Sequence, residues 1–124
     1  MLIQNILSFE DFNNYLDKNK YIILNVGAKW CKPCVALKPQ LEKFVNVIDK
    51  FEFIYLKLDY GIFEEEQEEF SKILNINKIP LTIFIVNGNV EESIISSDFS
   101  IVSKRIFEFI NKYKEENFSN TKEF

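Results

Sequence analysis

The only two cysteines in the chain, Cys31 and Cys34, stand three positions apart within Trp30-Cys31-Lys32-Pro33-Cys34. They follow the apolar run Tyr21-Ile22-Ile23-Leu24-Asn25-Val26 and open a segment whose apolar residues recur at helical spacing. Two thiols at the start of a helix can close into a small disulfide ring. The positive end of the helix dipole stabilises a thiolate there, and the thiolate is the species that attacks disulfides. Residue type and position together point to redox chemistry. The plain alternative is a pair of buried core thiols with no chemistry.

Other chemistries find little support. The chain has no histidine, which excludes a Cys–His or Ser–His dyad within it. Two thiolates are half of what a structural zinc site needs, so no metal is expected unless two chains share one. No Gly-rich phosphate loop is present, so no bound cofactor is expected beyond a redox-active Cys31–Cys34 pair. The net charge of −4 gives no basis for binding nucleic acid or an anionic membrane. Met1 to Leu7 lacks the basic and long apolar regions of a signal peptide, and no run reaches membrane-spanning length. A reducing cytoplasmic compartment is the expectation, since two cysteines are too few for a stapled secreted scaffold.

The length of 124 residues, 47% of them apolar and 13 of them Phe, suits one domain with one ample core. Residues 2–7 read as a first strand. Ser8 and Asp11 resemble a capping box for a helix to about Asp17, with Phe9, Phe12 and Leu16 inward. Tyr21–Val26 is nearly continuous apolar sequence, as in a central strand buried on both faces. A helix from Cys31 to Lys50 carries Val35, Leu37, Leu41, Phe44, Val45 and Ile48, and Pro39 should kink it. Phe51–Leu58 reads as a strand. Ile62–Leu74 reads as one amphipathic helix, with Phe63, Phe70, Ile73 and Leu74 inward and a run of glutamates on the solvated face. Leu81–Val86 and Val90–Ile95 read as strands joined at Asn87-Gly88, a strong hairpin signal. Asp98 or Ser100 caps a last helix built on Val102, Ile106, Phe109, Ile110 and Tyr113. The domain is expected over 1–116, with 117–124 a polar tail.

The order β-α-β-α-β-α-β-β-α implies an α/β fold: a mixed sheet of about five strands with four helices covering both faces. The chain resembles the thioredoxin superfamily. The marks of the resemblance are Trp30-Cys31-Lys32-Pro33-Cys34, Pro39 five residues on, Lys57-Leu58-Asp59, Ile79-Pro80 and Asn87-Gly88. It implies that Cys31 is the exposed nucleophile and that Cys34 resolves the mixed disulfide. It also implies that Pro80 is cis and faces the pair, and that the Ile79 backbone pairs with an extended substrate chain. Trp30, Lys32 and Pro33 then complete the contact surface, with Trp30 shielding the disulfide. The partners implied are disulfide-bearing protein substrates and a thioredoxin-reductase-like or other thiol donor.

Two departures bear on the chemistry. Asn25 stands where the family often has a buried aspartate that relays a proton from the resolving thiol, and an amide takes no proton at neutral pH. Water, or Lys57 acting as a desolvated base, is the expected substitute. Lys32 replaces the glycine usual between the cysteines. Both changes favour the Cys31 thiolate, and hence a less negative potential than in ordinary thioredoxins. Lys29, Lys32 and Lys78 form a basic rim able to steer an acidic partner. A protein-disulfide reductase is the expected activity; a thioredoxin-fold binding module with little turnover is the alternative.

Overall fold

β-Branched and aromatic runs make the strands of this chain, and apolar residues at helical spacing make the helices that cover them. The computed structural model describes residues 1–62 and 64–122, with the side chains of 1–61 and 65–113. The chain runs β1 (Leu2–Asn5), α1 (Phe9–Lys18), β2 (Tyr21–Gly27), α2 (Lys32–Asn46) and β3 (Phe53–Asp59). Two 3-10 turns (Tyr60–Ile62 and Glu64–Glu66), α3 (Gln67–Leu74), β4 (Leu81–Val86), β5 (Asn89–Ile95) and α4 (Phe99–Lys122) follow.

The strands form one sheet in the order β1-β3-β2-β4-β5. β3 is parallel to β1 and to β2, β4 is antiparallel to β2, and β5 closes the edge as a hairpin with β4. Alternate side chains of the three central strands, β2, β3 and β4, feed two cores. Tyr21, Ile23, Phe53, Tyr55 and Phe84 pack under Leu37, Leu41 and Val45 of α2 and Val102, Ile106 and Phe109 of α4. Ile22, Leu24, Val26, Ile54, Leu56 and Ile83 pack under Phe12 of α1 and Phe70 and Leu74 of α3. By this alternation Asn25 and Lys57 fall on the face that α2 covers.

Local chemistry sets the element ends. The Ser8 hydroxyl accepts the Asp11 N–H at 2.9 Å, and Asp11 Oδ2 accepts the Leu7 N–H at 2.8 Å. The box is thus closed one residue earlier than its usual form, satisfying two donors at the helix entrance. We expect Ser8→Ala to cost about 1 kcal/mol, lowering the melting temperature by about 4 °C; calorimetry on the oxidised protein checks this. Asn87 and Gly88 have φ of 51° and 78°, the pair of positive values that a two-residue hairpin turn demands. Asp98, not Ser100, caps α4: its Oδ1 accepts the Ser100 N–H at 2.9 Å and the Ser100 hydroxyl at 2.7 Å. These bonds, the hydroxyl's foremost, hold the Asp98 carboxyl below its ordinary value.

Several boundaries differ from the sequence reading. α2 ends at Asn46 rather than Lys50, because Asn46, Val47 and Ile48 are weak helix formers next to one another. Pro39 stays inside α2. Val35 is exposed, since Leu37, Leu41 and Val45 already define the buried stripe. β3 starts at Phe53, leaving Phe51 95% exposed. The expected helix 62–74 is shortened to Gln67–Leu74, preceded by 3-10 turns. Like charges at i,i+4, such as Glu65 and Glu69, disfavour a longer α-helix. Phe70 and Leu74 face the sheet from α3, and Ile73 lies off that line and is exposed. Phe63, expected inward, lies outside the described residues. α4 continues through 117–122, where the sequence suggests a tail, and 123 and 124 lie outside the described residues. Among the described residues no helix is long and apolar enough to cross a membrane.

Candidate active site

The β2–α2 connection builds the site at the carboxyl end of the parallel strands, where α/β sheets open their crevices. β2 ends at Gly27, and the Cys31 N–H donates to the Ala28 carbonyl at 3.1 Å, closing a tight loop. Cys31 is the N-cap of α2, with extended φ of −92° and ψ of 101°. Its Sγ accepts the Cys34 N–H at 3.3 Å, and its carbonyl accepts the Val35 N–H at 3.0 Å. A sulfur thus takes the place that a serine oxygen holds at α1. Pro33, in the first turn, withholds no donor that the helix would use. That turn has no carboxylate, so the helix end keeps its positive field for the sulfur.

Cys31 and Cys34 are joined as a disulfide with their Cα atoms 5.2 Å apart. The expectation that Cys31 is the exposed thiol needs correction. Cys31 is 8% and Cys34 7% exposed, because both pack against Ala28 and Ile79. Residue exposure therefore does not separate the two cysteines; capping does. Only Cys31 Sγ receives a helix N–H.

Pro80 is cis and buried, and Ile79 packs on the cysteine pair. Lys32 and Pro33 are exposed beside it. Trp30 is 72% exposed. A Cβ at Gly61 would lie 3.0 Å from the indole Nε1 of Trp30, so glycine there leaves room for the ring against the turn after β3. Gly27 plays the same part below: a Cβ on it would stand 3.1 Å from Cys34 Cβ. The strand end can thus run directly under the second cysteine.

Behind Cys34 lies a cavity of about 360 Å³ whose walls include Asn5, Asn25, Lys29, Cys34, Lys38 and Lys57. Asn25 sits opposite Lys57 on β3 and Thr82 on β4, and its amide donates to Thr82 Oγ1 at 3.4 Å. Lys57 Nζ donates to Glu42 Oε1 at 2.7 Å, with the two side chains 19% and 27% exposed. Lys57, expected with water as a candidate base, is therefore engaged as a donor to Glu42. Burial, with the Glu42 carboxylate adding to it, pushes the Tyr55 phenol well above its ordinary value. Glu42 was missed in the sequence. The available signal was the row Cys34, Lys38, Glu42 at i, i+4 and i+8 along one helix. Among the described residues, no group of three or more His, Cys, Asp or Glu side chains could hold a metal ion.

Comparison with known proteins agrees with this arrangement. The thioredoxin (H8) of Arabidopsis thaliana is 26% identical over 106 residues, covering 86% of this chain and 65% of that protein. The chain thus spans a little under two thirds of that relative's length. The mitochondrial thioredoxin-2 of Schizosaccharomyces pombe is 29% identical, over 87% of this chain and 74% of the relative. The crystal structure of Malassezia sympodialis thioredoxin superposes with a TM-score of 0.74 at 23% identity, covering 88% of this chain and 94% of that one. A likeness at that identity speaks to the fold. The thioredoxin family model matches residues 4–112, from β1 to the buried half of α4 and through both cysteines. With a match of that extent, the chain belongs to the thioredoxin family.

Proposed function

We propose that this protein is a thiol–disulfide oxidoreductase that reduces disulfides in protein substrates. The observation that carries the reading is the capping of α2 by Cys31. The sulfur that receives the Cys34 N–H is also bonded to Cys34 itself. When the pair is reduced, the same N–H and the helix dipole stabilise a Cys31 thiolate. That thiolate attacks one sulfur of the substrate disulfide, forming a mixed disulfide and expelling the other sulfur as a thiolate that takes up a proton. Cys34 then loses its proton and attacks Cys31 Sγ. The second substrate sulfur leaves as a thiol, and the Cys31–Cys34 bond re-forms. Two electrons pass to the substrate, and a thioredoxin-reductase-like enzyme or another thiol donor returns them.

The surface around the pair suits an extended chain. Ile79, Pro80, Trp30, Lys32 and Pro33 border it, with backbone groups before β4 available for strand-like pairing. Asn25 and Lys57 support the resolving step from behind by shaping the cavity where Cys34 sheds its proton. Lys29, Lys32 and Lys78 are exposed near the motif and would favour acidic substrates in a cytoplasmic setting. The test is the reduction of insulin by dithiothreitol at pH 7. We expect the protein at micromolar concentration to bring on precipitation of the insulin B chain well before the dithiothreitol-only control. Coincident curves would point instead to a thioredoxin-fold module that binds without turnover.

A further inference from the structure

We propose that the cavity behind the disulfide is a binding site for a small molecule bearing a phosphate group, held by Lys29, Lys38 and Lys57. Its volume of about 360 Å³ lies in the range of small-ligand pockets, roughly 300–1,000 Å³. Its walls come from five places in the fold: the ends of β1, β2 and β3, the β2–α2 loop and α2. The lysines therefore converge on one concavity from separate elements.

The charge there runs against that of the chain. The net charge is −4, yet the lining has three ammonium groups and one carboxylate, that of Asp59. Among the described residues, Lys29 and Lys38 form no ion pair, and Lys57 forms one, with Glu42. An ammonium has three N–H donors, so Lys57 keeps donors beyond the one given to Glu42. Asn5 and Asn25 add amide groups to the same wall. Gly27, Ala28, Val35 and Leu58 supply the apolar remainder of the wall. Lysines act on phosphate as point charges, and no arginine stands here to favour a forked carboxylate contact.

Binding stands apart from the redox reading, but its consequence rests on it. Cys34 is part of the cavity wall. An anion beside it disfavours the Cys34 thiolate, so a bound phosphate would slow release of substrate from the mixed disulfide.

The test uses the oxidised, uniformly ¹⁵N-labelled protein at constant ionic strength, titrated separately with inorganic phosphate, glycerol phosphate and chloride. We expect saturable amide shifts at Asn25, Ala28, Lys57 and Asp59 with at least one of the two phosphates and none with chloride. The tighter phosphate arm tells whether free phosphate or an ester is the preferred form. The Lys29→Gln/Lys38→Gln double variant should bind on the order of tenfold more weakly. If it loses its dispersed spectrum, each single variant should still weaken binding severalfold. Shifts that stay linear, that chloride reproduces, or that the variants leave unchanged would overturn the site. No turnover is needed, so failure here leaves the redox reading standing, and an inert protein in the insulin assay leaves this site standing.

Discussion

Cys31→Ser is expected to bring insulin reduction down to the dithiothreitol-only rate, a loss on the order of 10³-fold or more, as when a covalent nucleophile is deleted. Serine keeps the cap, since its hydroxyl can accept the Cys34 N–H as Ser8 accepts that of Asp11. What disappears is the attacking atom: an alcohol is not ionised at neutral pH and does not attack a disulfide. The correct reference for stability is the reduced parent protein. Closing a four-residue loop with a disulfide is worth about 2 kcal/mol by chain entropy, and the variant cannot form it. A Cys31→Ser protein that melts with the reduced parent and has no activity separates chemistry from folding. Activity retained above one tenth of the parent would remove Cys31 from the reaction.

The parts of the fold legible in the sequence are those where one local signal decides the outcome. Tyr21–Val26 reads as a doubly buried strand because only a central strand tolerates such a run, and β2 is buried on both faces. Asn87-Gly88 reads as a turn because both residues accept positive φ, and both have it. The pair Cys31 and Cys34 at the head of a helix was visible for the same reason: the thiols and the apolar period that follows them are local. Elements whose limits depend on tertiary packing were harder to place. The end of α2, the start of β3 and the shortening of α3 depend on which stretches the sheet can cover. Val35 and Ile73 have the spacing of inward residues, yet the stripes through Leu37 and Leu41, and through Phe70 and Leu74, fill the space available.

The environment behind the disulfide was legible only in part. Asn25 could be placed through the family resemblance, by its position before the motif, and Lys57 likewise, by Lys57-Leu58-Asp59. The partner of Lys57 could not, because Glu42 reaches it across the helix–sheet interface, 15 residues away in sequence. With an amide at position 25, the carboxylates in and next to this wall are that of Asp59, at the end of β3, and that of Glu42, tied to Lys57. The negative charge that the family often buries on the central strand has no counterpart on β2 here. The Glu42 carboxylate stands on α2, neutralised by an ammonium. An arrangement of this kind leaves the region around Cys34 net positive, which favours a thiolate as it forms.

Cys34→Ser is the complementary case, and it tests the assignment that exposure leaves undecided. With 8% and 7% of their surfaces accessible, the two cysteines do not differ in burial enough to name the attacker. The capping geometry does: Cys31 Sγ lies at the helix end, while Cys34 lies one turn in, over Gly27 and against the inner cavity. Cys34→Ser should therefore still attack a substrate disulfide through Cys31 and then stop. The expected result is a covalent adduct with insulin or another disulfide-bearing protein, seen on a non-reducing gel and dissolved by dithiothreitol, with turnover down on the order of 10²-fold or more. The Cys31→Ser protein, whose remaining thiol has no capping N–H, should accumulate little adduct under the same conditions. Iodoacetamide should follow the same order, alkylating Cys31 in Cys34→Ser at neutral pH far faster than Cys34 in Cys31→Ser, because the alkylating step also requires the thiolate. If the two variants trap substrate equally, or if the order is reversed, the N-terminal field of α2 is not what selects the nucleophile.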